Sequence, residues 1–168
     1  NTPTAVRRPV ATIAITYLLA LAHKMVIKDQ LTRTGRWQER TDHMGVGLTG
    51  RTLGVIGAGG IGKELLRMIR VFDMRVIAAD PYVPAGEIAA LGAKRVELEQ
   101  LMLESDFIVV VCLLDEHTRK FIDAARLALM KPTALLVNTS RGAVVDESAL
   151  IEAPRARRIA GAALDAFE

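Results

Sequence analysis

Apolar positions along the chain fall into two kinds of run. Short unbroken runs, such as Phe107-Ile108-Val109-Val110-Val111 and Ala134-Leu135-Leu136-Val137, have the pattern of strands covered on both faces. Between them, apolar residues recur at helical spacing among polar ones. The alternation predicts strands near 53–57, 75–79, 94–96, 107–111, 134–138 and 160–164, with helices near 60–72, 85–91, 97–104, 121–130 and 146–153. Such an order gives an α/β fold: a doubly wound parallel sheet in three α/β/α layers, with right-handed crossovers.

Ahead of this alternation, Asn1 to Arg8 is a polar lead-in with prolines at 3 and 9. From Val10 to about Leu31, Ile13, Tyr17, Leu18, Leu21 and Met25 mark a long N-terminal helix, apolar on more than one face near its middle. A helix of that kind must be covered. One face is expected against the sheet and the other at a contact between two copies of the chain, a homodimer. Thr32 to Gly50 is a polar connector with four glycines, in which Trp37 reads as a local anchor rather than a ligand platform.

A length of 168 residues suits a single domain spanning 1–168, and an apolar half dominated by aliphatic residues suits helices on both sheet faces. The net charge of +3 is small. Its one basic cluster, Arg155, Arg157 and Arg158, has no interleaved aromatics and reads as a solvated helix face, so no nucleic-acid partner is expected. Cys112 is the only cysteine, which excludes an internal disulfide and a multi-cysteine metal site and fits a reducing, cytoplasmic compartment. The apolar run around Ile13 to Ala22 is too short to span a bilayer, and no signal peptide is visible.

The chemistry centres on Val55-Ile56-Gly57-Ala58-Gly59-Gly60-Ile61-Gly62, a G-x-G-x-x-G turn between the first strand and its helix. Gly57 allows the tight turn, Gly59 lets a pyrophosphate reach the backbone, and Gly62 lets helix and strand pack closely. The helix start offers free N–H groups and partial positive charge to phosphates. The next strand ends at Asp80, 18 positions after Gly62, where a dinucleotide site needs a carboxylate for the adenosine ribose. Pro81 and Tyr82 follow, with no adjacent cation for a 2′-phosphate, so the pattern favours NAD over NADP. The competing reading is a glycine turn that only packs a helix, with Asp80 as a turn residue.

In open α/β sheets, ligands bind beyond the carboxyl ends of the strands. Those ends carry the glycine turn, Asp80, Cys112 with the loop to Thr118, the run Asn138-Thr139-Ser140-Arg141-Gly142, and Asp165. The fork of Arg141 can hold a carboxylate bidentately and polarise a neighbouring carbonyl; an ion pair with Asp146 or Glu147 is the plainer alternative. Asp146 is expected to cap the helix that begins at Glu147. Asp165 is either a hydrogen-bond acceptor for a nicotinamide amide or a turn residue. Of His23, His43 and His117, only the last falls near the strand ends, and none has a carboxylate partner by spacing. Cys112 reads as a small apolar strand-end residue rather than a nucleophile.

The glycine run with Asp80, the block Met130 to Glu147 and the run Ile159 to Glu168 together resemble the NAD-binding domain of the D-isomer-specific 2-hydroxyacid dehydrogenases, closest to the phosphoglycerate dehydrogenase side. The resemblance spans essentially the whole chain. It implies a Rossmann-type fold and NAD as cofactor. It implies that the Gly60 and Ile61 backbone binds pyrophosphate, Asp80 the ribose, and that Cys112 and Thr139 line the cofactor. Arg141 takes the substrate carboxylate, and Asp165 holds the carboxamide region. The family's catalytic Glu would fall just past Glu168, its His is absent, and so is its substrate domain. At places where the family has His, Pro and Thr, this sequence has Val111, Leu113 and Asp115.

The expectation is therefore a fragment of a larger two-domain oxidoreductase acting on a small 2-hydroxy or 2-keto acid, binding NAD but without turnover alone. Phosphoglycerate dehydrogenase-like and hydroxypyruvate or glyoxylate reductase-like activities are the candidates. An NAD-sensing corepressor-like module of the same fold is the alternative from another class.

Overall fold

A computed structural model of the chain describes residues 4–167. The first three residues of the lead-in and Glu168 lie outside the described residues. Six strands, β1 (Thr52–Ile56), β2 (Arg75–Ala79), β3 (Lys94–Arg95), β4 (Phe107–Val110), β5 (Leu135–Asn138) and β6 (Gly161–Leu164), form one sheet in the order β3-β2-β1-β4-β5-β6. Every pairing is parallel. All six strands lie within a residue or two of their expected places.

Side-chain alternation in the strands splits the core into two layers. Leu53, Val55, Phe107, Val109, Leu135 and Val137 face α1 (Arg7–Ala22), α3 (Gly60–Met68) and α4 (Ala85–Ala90). Ile56, Ile77, Ile108, Val110 and Leu136 face α5 (Leu98–Glu104), α6 (Ala124–Leu129) and α7 (Glu147–Arg155). The strand order reverses direction between β1 and β4, and that switch point opens the crevice described below.

The long N-terminal helix is present as α1, which buries Ala11, Ala14, Ile15, Leu18 and Ala22 against α3 and the strands β4, β5 and β6. Its expected continuation to Leu31 is interrupted. Lys24 adopts a left-handed backbone (φ 52), and α2 (Met25–Arg33) leaves at 62° to α1. No single helix among the described residues is long and apolar enough to cross a membrane. Trp37 anchors less than expected: it is 46% exposed, with the Arg40 guanidinium 5.0 Å from its ring centre.

The helix expected over 121–130 shortens to α6 because Ile122 pairs with Val145 as a parallel bridge, and the Asp123 side chain then caps the helix at the Arg126 N–H. Asp146 caps α7 as expected, accepting from the Ala149 N–H at 3.1 Å. Among the three clustered arginines, all exposed, Arg155 pairs with Glu152 on the surface of α7.

Candidate functional site

The glycine turn is built by backbone meeting backbone. Gly57 has φ +96, and a Cβ there would come within 2.6 Å of the Cys112 Cα. A Cβ on Gly62 would lie 2.1 Å from the Gly57 carbonyl oxygen. At Gly59 a Cβ would meet nothing within 4 Å, so this point of the turn faces open space. Gly60, Ile61 and Gly62 form the first turn of α3, which has no side-chain cap. First-turn N–H groups lack an intrahelical acceptor, and here they border that open space.

Asp80 ties the end of β2 to this turn. One carboxylate oxygen accepts from the Ala58 N–H at 2.7 Å; the other accepts from the N–H groups of Tyr82 and Val83 at 2.9 and 3.1 Å. Asp80 is thus the turn residue that the plainer reading described, yet its work is not finished there. A carboxylate has about four lone-pair directions, and these three bonds leave room for one more donor.

Gly57, Gly59, Asp80 and Cys112 line a cavity of about 520 Å³, walled further by apolar residues such as Val96 and Leu98. Burial pushes the Cys112 thiol up to about 12, so it is a neutral wall residue at physiological pH. His117 reaches the cavity wall too. Its N–H and the Thr118 N–H donate to Asp115, which folds the loop after β4 back on itself. Burial raises the Asp115 carboxyl, but the Thr118 and His117 donors outweigh it and hold it below its usual range.

The remaining strand ends lie outside that cavity's lining. Asn138 ends β5 with a knot: its side-chain oxygen accepts from the Ser140 N–H and hydroxyl, and its amide donates to the Arg141 carbonyl. The knot turns the chain so that Arg141 emerges exposed, its guanidinium donating to the Ser140 carbonyl at 2.8 Å. Asp146, one of the two alternative partners of Arg141 beside Glu147, caps α7 by accepting from the Ala149 N–H. Thr139 is 5% exposed and its hydroxyl has no hydrogen-bond partner among the described residues.

Asp165, one strand further, donates its N–H to the Asn138 carbonyl and accepts the Tyr17 hydroxyl at 2.9 Å. That bond, added to burial and the Asp165 charge, holds the Tyr17 phenol above its ordinary value. Sequence reasoning placed Tyr17 only as an apolar helix position. With the partners 148 positions apart, no local signal could have joined them. No group of three or more His, Cys, Asp or Glu side chains among the described residues is placed to hold a metal ion.

A parallel sheet with a glycine turn and a carboxylate at its switch point defines a dinucleotide-binding α/β domain. Residues 15–168 match the family described as D-isomer specific 2-hydroxyacid dehydrogenase, NAD binding domain, and the chain belongs to that family. A glyoxylate reductase of Thermococcus onnurineus is 40% identical over all of this chain and 52% of its own length. A D-3-phosphoglycerate dehydrogenase of Methanocaldococcus jannaschii is 37% identical over all of this chain and 32% of its own length. The crystal structure of a glyoxylate reductase from Paecilomyes thermophila superposes with a TM-score of 0.91 at 34% identity, covering 99% of this chain and 50% of that one. The chain spans about half the length of the glyoxylate reductases it matches.

Proposed function

We propose that the chain is the cofactor-binding part of a two-domain NAD-dependent oxidoreductase that moves a hydride between the cofactor and C2 of a small 2-hydroxy or 2-keto acid. The observation that carries this reading is the Asp80 carboxylate bound to the Ala58 N–H at 2.7 Å beside the open face of Gly59. It sets a ribose acceptor and a diphosphate cradle side by side. The bound dinucleotide supplies the hydride acceptor or donor.

This chain's residues bind and orient. The N–H groups of Gly60 and Ile61 take the diphosphate, with Gly57, Gly59 and Gly62 giving it room, and the spare acceptor of Asp80 takes a ribose hydroxyl. Cys112 and Thr139 wall the cofactor, and the buried Thr139 hydroxyl has an unfilled bond to offer. Asp165, steadied by Tyr17, accepts from the carboxamide. Arg141, held beside the Asn138 knot by its bond to the Ser140 carbonyl, grips the substrate carboxylate and polarises its keto oxygen. The proton at that oxygen is assigned to residues beyond this chain.

Titration of the chain with NADH and NADPH, followed by nucleotide fluorescence, tests the reading. NADH should bind the more tightly. Asp80→Ala should weaken NADH by about tenfold or more and erase the preference, since it removes a charge-assisted bond and the turn that presents it. An unchanged preference in Asp80→Ala would overturn the assignment, as would steady turnover of a 2-keto acid by this chain alone.

The proposal extends to a cytoplasmic homodimer. Exposed apolar side chains gather less on α1 than on α2 and the segment after it: Met25, Val26, Ile27, Trp37 and Met44. A second copy of the chain is the occupant proposed, the same apolar side chains meeting across a two-fold axis. Sedimentation at several concentrations checks it, and a monomer throughout would remove the dimer.

A further inference from the structure

The glycine turn presents a diphosphate with backbone dipoles but with no cation of its own. From Gly57 to Gly62 every side chain is hydrogen, methyl or aliphatic. The first cation after it, Lys63, is paired across to Glu87 on α4 at 2.5 Å. A diphosphate carries about two negative charges, and a helix N-terminus offers only about half a positive one. The ledger of charge at the turn is short by more than one unit.

A second element supplies what is missing. Arg7 opens α1, and its side chain lies on Gly60. A Cβ built on Gly60 would stand 2.5 Å from the Arg7 Nε and 2.9 Å from both its Cδ and Cζ. The guanidinium therefore occupies the space that a side chain at 60 would take, one residue from the open face of Gly59. The position is held from below, because α1 packs along α3 through Ala11, Ala14, Ile15 and Leu18. No ion pair among the described residues engages Arg7, which is exposed and keeps its donors available.

We infer that Arg7 is a diphosphate-binding residue of this site, its guanidinium pairing with the phosphate oxygens that the first turn of α3 receives. The inference rests on the cofactor reading above and deepens it. Gly60 gains a role of its own: it lacks a Cβ so that the α1 arginine can lie across it. A planar fork suits phosphate oxygens in a way that a lysine ammonium does not.

The test is titration of the chain with NADH, ADP and adenosine, for wild type, Arg7→Ala and Arg7→Lys. Arg7→Ala should weaken NADH and ADP by about five- to tenfold, the range for an exposed charge-assisted pair, and leave adenosine, which has no phosphate, unchanged. Arg7→Lys should fall between. The salt dependence of ADP binding should flatten in Arg7→Ala. An exposed first-turn residue should not alter Tm, so a folding defect is separable. Equal affinity of Arg7→Ala and wild type for ADP would overturn the inference while leaving the cofactor reading intact. An equal loss for adenosine would reduce Arg7 to a structural role. Failure of wild type to bind NADH or ADP would remove both readings.

Discussion

The two sides of the crevice are built on different terms. On the Asp80 side, backbone packs on backbone. Gly57 touches Cys112, Gly62 touches Gly57, and Asp80 accepts from three main-chain N–H groups. Little there can move without breaking a bond or closing a contact. On the Arg141 side the groups are presented to solvent. Arg141 and Asp165 are exposed, β6 is half-buried along its length at the sheet edge, and Asp165 is steadied by one phenol from α1. On the proposed reading, rigidity serves the side that holds the nucleotide, and side chains that can still adjust serve the side proposed to meet the substrate.

The strongest way to break this contrast is Gly62→Ala. Its methyl would sit 2.1 Å from a main-chain oxygen, so α3 must shift away from β1. Overpacking of this kind costs about 3 kcal/mol. For a domain of this size that lowers Tm by roughly 6–12 °C, read by calorimetry, and NADH binding should be lost with it. A Tm within a degree or so of wild type would show that the turn is soft, and the contrast would fall.

That close packing was legible because glycine reports backbone constraint directly: G-x-G-x-x-G after an apolar run has few other uses. The sheet was legible for a related reason, since strands covered on both faces read as unbroken apolar runs. Asp146 was legible as a cap because caps are local. What escaped was of two kinds. The bend at Lys24 depends on a left-handed lysine, a residue type that gives no warning of it. Arg7 on Gly60 and Tyr17 on Asp165 are contacts made by the tertiary fold, and α1 supplies both. The same helix that read as an apolar cylinder in need of cover thus brings polar groups to two points of the crevice. Periodicity shows which face of a helix is buried, not what its polar residues will reach.

A substitution at the opposite end of the strands separates stability from binding. At the amino ends of the strands, Asp106 accepts from the Thr52 N–H at 2.8 Å and from Lys131 at 2.9 Å, joining β1, β4 and the turn before β5. Burial pushes its carboxyl up, but Thr52 and Lys131 outweigh burial and hold it below the ordinary 3.8. A carboxyl depressed in the folded state stabilises above its unfolded value and loses that contribution as pH falls through the folded one. Asp106→Asn should therefore cost about 1 kcal/mol near neutrality, with the gap from wild type closing in acid. Its NADH affinity should stay unchanged, because the crevice lies at the other end of every strand. A Tm gap that stays constant from pH 7 to pH 3 would sink the linkage.

The smallest effect belongs to Tyr17→Phe, and it probes the adjustable side alone. The phenol donates to Asp165 across 148 positions of sequence. Asp165 is exposed and Tyr17 is half-buried with its ring against the core, and phenylalanine keeps that ring, so loss of the hydroxyl alone should leave Tm nearly unmoved. What should change is the freedom of Asp165. If that carboxylate meets the carboxamide of bound cofactor, losing its tether should weaken NADH slightly while leaving ADP, which lacks the nicotinamide end, unaffected. The pH dependence has a definite sign. Tyr17 is held above its ordinary value near 10, chiefly by the bond to Asp165. A raised phenol keeps its proton below that value, so the bond is intact at neutral pH and opens only as pH climbs through the folded-state value. Ultraviolet titration should show a tyrosine ionising above the ordinary phenol value, and Tyr17→Phe should delete that late step. If ADP and NADH weaken equally in Tyr17→Phe, α1 steadies the whole crevice rather than its adjustable side, and the division drawn between the two sides is lost.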